Sequence, residues 1–166
     1  HSPLTPLSAP KKGDWGAWGV PGLRCSKCKE AYRVNGGVLS LIPKGNLSRY
    51  AYWEALHRGI QSDAVAAIYK RRFAFSDDFL AIYYATPRLA RKMNWTFEDA
   101  LELGSGWGSY SLCLWRFGRL KQPWLFDISA TALKGARKVY KVFGVEPFLV
   151  QGEIHDLPFT DKAFAG

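Results

Sequence analysis

The hydrophobic pattern changes rhythm near residue 99. From there, short extended runs alternate with helical repeats. Ala100–Leu103 reads as a strand running into glycines, and Ser109–Arg116 as a helix. Pro123–Phe126 predicts a second strand, closed by Asp127. Ser129 is placed to cap a helix reaching about Phe143. Its apolar positions, Ala132, Leu133, Ala136, Val139, Tyr140 and Phe143, fall three and four apart, as one buried helix face requires. Pro147–Val150 predicts a third strand. Strands alternating with helices imply parallel βαβ units with right-handed crossovers.

The upstream pattern is different. Residues 1–22 carry prolines at 3, 6, 10 and 21 and read as a flexible lead-in, although Trp15 and Trp18 need cover. Residues 23–45 form a small unit, in which Ala31–Val34 and Val38–Ile42 flank Asn35-Gly36-Gly37 and predict a β-hairpin. Residues 46–98 read as helical. Ser76-Asp77-Asp78 is a helix start, Phe79, Ile82 and Tyr83 follow at helical spacing, and Pro87 is expected to divide or bend the helix. The expected fold class is therefore α/β. A Rossmann-like parallel sheet holds strands one to three and the start of a fourth near Ala163, with an N-terminal helical region and the hairpin unit beside it. Residues 99–166 supply the N-terminal half of that Rossmann-like domain. The chain stops at Ala165-Gly166 inside an element, so a fragment with weak cofactor binding and no turnover of its own is expected.

Composition narrows the class. Of the 166 residues, 48% are hydrophobic and 15% aromatic, enough for a packed core and unlike a disordered chain. No apolar run approaches the roughly 18 residues of a membrane span. The Pro-rich start lacks a signal-peptide pattern. Three cysteines, an odd and low count, fit a reducing, cytoplasmic setting. The net charge of +9 admits an anionic partner such as RNA, but the cations are scattered and solubility is the plainer explanation. Oligomeric state is left open.

The chemistry gathers at the strand ends, where open parallel sheets bind ligands. Glu102-Leu103-Gly104-Ser105-Gly106-Trp107-Gly108 is a glycine turn that lets a ligand approach the backbone. Asp127, before Ile128, can accept hydrogen bonds from a ribose diol. Glu153 can receive an adenine amino group while Ile154 packs on the ring. Gly104 and Gly106 fit the dinucleotide fingerprint, but Ser109 stands at its third glycine position, and Gly108 comes one residue early. Glu102 would also repel a pyrophosphate, whereas the ammonium and sulfonium of S-adenosylmethionine suit an acid there. The residues favour S-adenosylmethionine as cofactor over a nicotinamide dinucleotide.

These segments resemble a known family. Ala100–Tyr110 resembles motif I of the class I S-adenosylmethionine-dependent methyltransferases, and Phe126-Asp127-Ile128-Ser129 resembles their ribose-binding segment. Gln151–Phe164, with Leu157-Pro158-Phe159 at its centre, is similar to the corresponding stretch of the ubiquinone/menaquinone-type subgroup. Glu153 stands where Asp is usual, and Ala165 where an Asp usually opens the fourth strand. The resemblance implies methyl transfer to a small-molecule acceptor, with RNA as the alternative acceptor and a non-catalytic cofactor-binding or partner-docking fragment as a third reading. It places Glu102 and the glycine backbone, with Ser105, at the methionine part, Asp127 at the ribose, and Glu153 with Ile154 around the adenine. Trp107 is the aromatic residue assigned to the pocket.

Cys25-Ser26-Lys27-Cys28 and the hairpin resemble the second half of a small zinc-ribbon module that precedes some methyltransferase domains. Tetrahedral zinc takes about four ligands. One pair is present, Cys113 falls in a core helix, and His1 and His57 are poorly spaced, so a degenerate ribbon without metal is favoured over zinc at Cys25 and Cys28. Tyr52-Trp53-Glu54 followed by His57 reads first as a packed aromatic helix face, with a pocket wall as the alternative. His155 reads as an ordinary loop residue. Lys134, Arg137, Lys138 and Lys141 read as a solvated outer face. No general base can be named from the sequence.

Overall fold

Apolar runs closed by glycine or aspartate become three parallel strands in the computed structural model, which describes residues 4–7, 13–42, 50–58 and 77–164. In chain order, the strands are β1 (Leu4–Pro6), β2 (Gly22–Cys25), β3 (Ala31–Asn35), β4 (Val38–Ser40), β5 (Phe97–Leu103), β6 (Leu120–Asp127) and β7 (Phe148–Gln151). The helices are α1 (Ala51–Arg58), α2 (Asp77–Lys92), α3 (Ser109–Arg116) and α4 (Ala130–Val142). One seven-stranded sheet runs in the order β1-β2-β3-β4-β7-β6-β5. β5, β6 and β7 are parallel, with α3 and α4 as crossovers, so the fold is α/β with a Rossmann-like parallel part.

Helix α4 forms as its spacing predicts. Ser129 Oγ accepts from Ala132 N at 3.1 Å, capping the first turn. Ala132, Leu133, Ala136, Val139 and Tyr140 are all fully buried against Leu125, Leu149, Val38 and Leu112. The opposite sheet face is aromatic. Trp18 packs edge-on to Trp124 and Phe148, and donates from Nε1 to the Leu149 carbonyl at 3.1 Å.

The structure corrects several expectations. The lead-in is not free: β1 pairs with β2, and a 3-10 turn at Gly16–Trp18 carries the covered Trp18. Pro87 lies inside a continuous α2 and does not divide it. Strand β5 starts at Phe97, earlier than the glycine-bounded run suggested. The expected fourth strand at Ala163 is turn and bend through Phe164. A fourth strand does join the parallel set, but it is β4 of the hairpin, parallel to β7 on the other side. Arg137 is not on a solvated face. It is buried, clasped by Asp14 in two 2.6 Å bonds and by Glu146, while Lys134, Lys138 and Lys141 are exposed. This pairing ties the N-terminal segment to α4 and holds the Asp14 carboxyl below its usual range. Ser76 and Ala165 lie outside the described residues. No helix among the described residues is long and apolar enough to cross a membrane.

Candidate functional site

Three parallel strands end at one sheet edge, and their trailing residues meet there. Gly106 N donates to Asp127 Oδ2 at 2.8 Å. Ser105 N donates to the Phe126 carbonyl, and Gly152 N to the Asp127 carbonyl, each at 3.1 Å. The glycine turn after β5, the end of β6 and the segment after β7 are thus stitched into one floor. Above it lies a cleft of about 560 Å³, lined by Gly104, Gly106, Asp127, Ile128, Glu153 and Ile154 among others.

The three glycines of the turn serve different ends, although all have positive φ. A methyl at Gly104 or Gly106 would meet nothing within 4 Å, so both open onto the cleft. A methyl at Gly108 would come within 2.6 Å of Leu125 and 2.9 Å of Tyr140 Oη. Gly108 is a packing residue, and Tyr140 Oη donates to its carbonyl at 2.6 Å. The glycine after β7 is a packing residue too, because a Cβ at Gly152 would lie 2.5 Å from the Phe126 ring.

Asp127 is buried, and both its oxygens are engaged. Oδ2 holds the glycine turn and Oδ1 accepts from Ser129 N at 2.8 Å. Each oxygen has a further lone pair, and the residue lines the cleft. Glu153 accepts from Tyr50 Oη at 2.8 Å. Ile154 is half-exposed in the cleft.

Other expected site residues are placed elsewhere. Glu102 does not line the cleft. Its carboxylate accepts from Ser111 N at 2.8 Å and serves the open first turn of α3. Burial pushes its pKa up, and the Ser111 bonds offset part of that. The Trp107 ring turns away from the cleft into the core, against Gly135 of α4. The absence of a Cβ at Gly135 makes the slot that draws it. The Ser105 side chain is buried behind the turn, its Oγ without a partner among the described residues. Cys25 and Cys28 are both free, and Cys28 N donates to Cys25 Sγ at 3.5 Å, which lowers the Cys25 pKa. Among the described residues, no group of three or more His, Cys, Asp or Glu is placed to hold a metal ion. Cys113 is buried, and that burial pushes its thiol up to about 12.

The opposite wall comes from α1, which contributes Trp53, Leu56 and His57. None of its eight residues is buried, so the expected packed aromatic face is overturned. The helix is held by carboxylates. Glu54 accepts from Ala130 N at 2.6 Å and Thr131 N at 3.2 Å, and also from Thr131 Oγ1, serving the first turn of α4 from outside. His155 also lines the cleft. Its position immediately after the Gly152-Glu153-Ile154 segment was the available signal. Nothing local to Glu54 announces a bond to residues 76 positions away.

Residues 101–165 match the family described as methyltransferase domain. Among solved structures, the chain is similar to an S-adenosylmethionine-dependent methyltransferase from Clostridium acetobutylicum ATCC 824. The identity is 18%, over 70% of this chain and 40% of that one, with a TM-score of 0.39. The chain thus spans 40% of the length of that protein. No curated protein matches the chain.

Proposed function

We propose that this chain is the cofactor-binding part of an S-adenosylmethionine-dependent methyltransferase acting on a small-molecule acceptor. The observation that carries the reading is the charge of the cleft. The chain bears a net +9, yet no lysine or arginine is among the described residues lining the cleft, whose carboxylates are Asp127 and Glu153. Such a lining disfavours a pyrophosphate and suits a ligand carrying an ammonium and a sulfonium. The match of residues 101–165 to the methyltransferase domain family supports the same reading.

The residues present fit that cofactor. Gly104 and Gly106 leave open space beside the floor, Asp127 retains lone pairs for ribose hydroxyls, and Glu153 with Ile154 offers a polar edge and an apolar face for adenine. When bound, the cofactor supplies an electrophilic methyl group on sulfur. The chain's own contribution is to orient, to exclude water and to fix the distance to an acceptor. The apolar wall of Trp53 and Leu56 favours a small organic acceptor over RNA. Calorimetry with S-adenosylmethionine, S-adenosylhomocysteine and NAD tests the reading. Saturable binding of the first two and none of NAD is expected. Binding of NAD with equal affinity, or of none of the three, would overturn it.

A further inference from the structure

We propose that a trough between β3 and α4 is a second ligand site, and that it takes a small phosphate monoester with an apolar body. The trough shares no lining residue with the cleft. It therefore stands or falls independently of the cofactor reading above.

The sheet register builds this trough. Asn35 is paired with Val38, so the two side chains share a face, and Val38 belongs to the core under α4. Arg33, two residues back on β3, lies on that same face. Helix α4 packs across β6, β7 and β4. Its flank carries Ala130 and Lys134, one turn apart, and faces the outer strand β3 across a space of about 320 Å³. Val38 and Ile42 give that space an apolar floor. Its size lies at the lower end of the range for small-molecule pockets.

Two cations enter from opposite sides, Arg33 from the strand and Lys134 from the helix. Gly36 sets the course of the lysine. A Cβ there would lie 3.4 Å from Lys134 Cε, so the stem runs over the hairpin turn and carries its ammonium to the strand side. Neither cation has an ion pair among the described residues. Arg137, three residues beyond Lys134, is by contrast neutralised by Asp14 and Glu146. Asn35 adds amide donors to the trough. Its carboxylate among the described lining residues is Glu30, just before β3.

This chemistry selects the ligand. A guanidinium fork and an ammonium facing each other across one small space match a doubly charged group with several acceptor oxygens. A phosphate monoester carries about −1.5 to −2 at neutral pH, whereas a carboxylate carries a single charge. The apolar floor suits an organic substituent, which inorganic phosphate lacks. An extended polyanion needs a track of cations, and Lys138 and Lys141 continue along α4 outside the trough. A ligand gripped by both Arg33 and Lys134 ties the amino-terminal hairpin to α4, so its binding stabilises the folded chain.

The test is calorimetry of the full chain with phenyl phosphate, benzoate, inorganic phosphate and an oligouridine RNA. Wild type should bind phenyl phosphate saturably, about tenfold tighter than benzoate or inorganic phosphate. Arg33→Gln and Lys134→Gln alter exposed side chains, and circular dichroism checks that each variant is folded. Each should weaken phenyl phosphate about tenfold, and the double variant should lose saturable binding. Glu30→Gln should tighten it several-fold, because a like charge is removed. Phenyl phosphate should also raise the melting temperature of wild type and leave that of the double variant unchanged. No saturable binding to wild type, equal binding of benzoate, or wild-type affinity in the double variant overturns the inference. So does tighter binding of the RNA that is lost with the same two substitutions, since the trough would then serve a nucleic-acid backbone.

Discussion

The floor and the wall of the cleft are built on different plans. The floor consists of three short segments that follow three neighbouring strands, tied by backbone donors: Gly106 N, Ser129 N and Gly152 N all converge on Asp127. The wall is a single helix, α1, with no buried residue, held by the carboxylates of Glu54 and Glu153 reaching across 76 to 103 positions of sequence. Beneath the floor lies a fully buried core, and beneath the wall lies the cleft. A site made this way divides its roles. The floor is fixed by the fold, whereas the wall can be altered without disturbing the sheet.

The largest effect should come from the floor. Gly108→Ala forces a methyl against Leu125 and Tyr140 at a φ of +71°. Overpacking and the left-handed backbone together should cost roughly 3–5 kcal/mol, read by denaturant unfolding. Gly104→Ala is the control, because it meets no atom within 4 Å. It should cost only about 1–2 kcal/mol yet weaken cofactor binding, since the methyl occupies the open space. If both substitutions destabilise equally, the division of labour within the turn is wrong.

Asp127→Ala comes next. It leaves Gly106 N and Ser129 N without their carboxylate and should cost about 3 kcal/mol of stability, seen in thermal melts. Cofactor affinity should fall in the same variant. Weakened binding with an unchanged melting temperature would mean that Asp127 serves the ligand and not the floor.

The smallest effect belongs to the wall. Glu54→Ala removes an external cap from α4 and should cost about 1 kcal/mol. Amide hydrogen exchange should rise in residues 51–58 and stay unchanged in β5, β6 and β7. Loss of protection throughout the sheet would show that wall and floor form one cooperative unit.

This contrast also explains what was legible in the sequence. Ser109–Arg116 and the helix from Ser129 were readable because local spacing, glycines and a cap determine them. The convergence of Gly104–Gly108, Asp127 and Glu153 followed from parallel topology alone. The directions of Glu102 and Trp107 were not readable. One turns to the otherwise unpaired amides in the first turn of α3, and the other to a slot created by Gly135, a residue 28 positions later. The wall was hidden for the same reason, since nothing around Tyr52, Trp53 and His57 distinguishes a helix packed on a core from one spanning a cleft. The order of the lead-in was hidden because its strand and its covered tryptophan are completed by distant partners, the carbonyl of Leu149 among them.

The pairing of β4 with β7 has a consequence for the order of assembly. Ser40 lies opposite Gln151, and its hydroxyl donates to that side chain at 2.7 Å across 111 positions. Contacts of such separation close large loops and slow folding. On the ribosome, the hairpin emerges early but cannot take its place in the sheet until β7 has followed. Strand β7 therefore acts as a latch, and the amino-terminal unit joins the sheet only once the segment after β7 has closed the cleft floor.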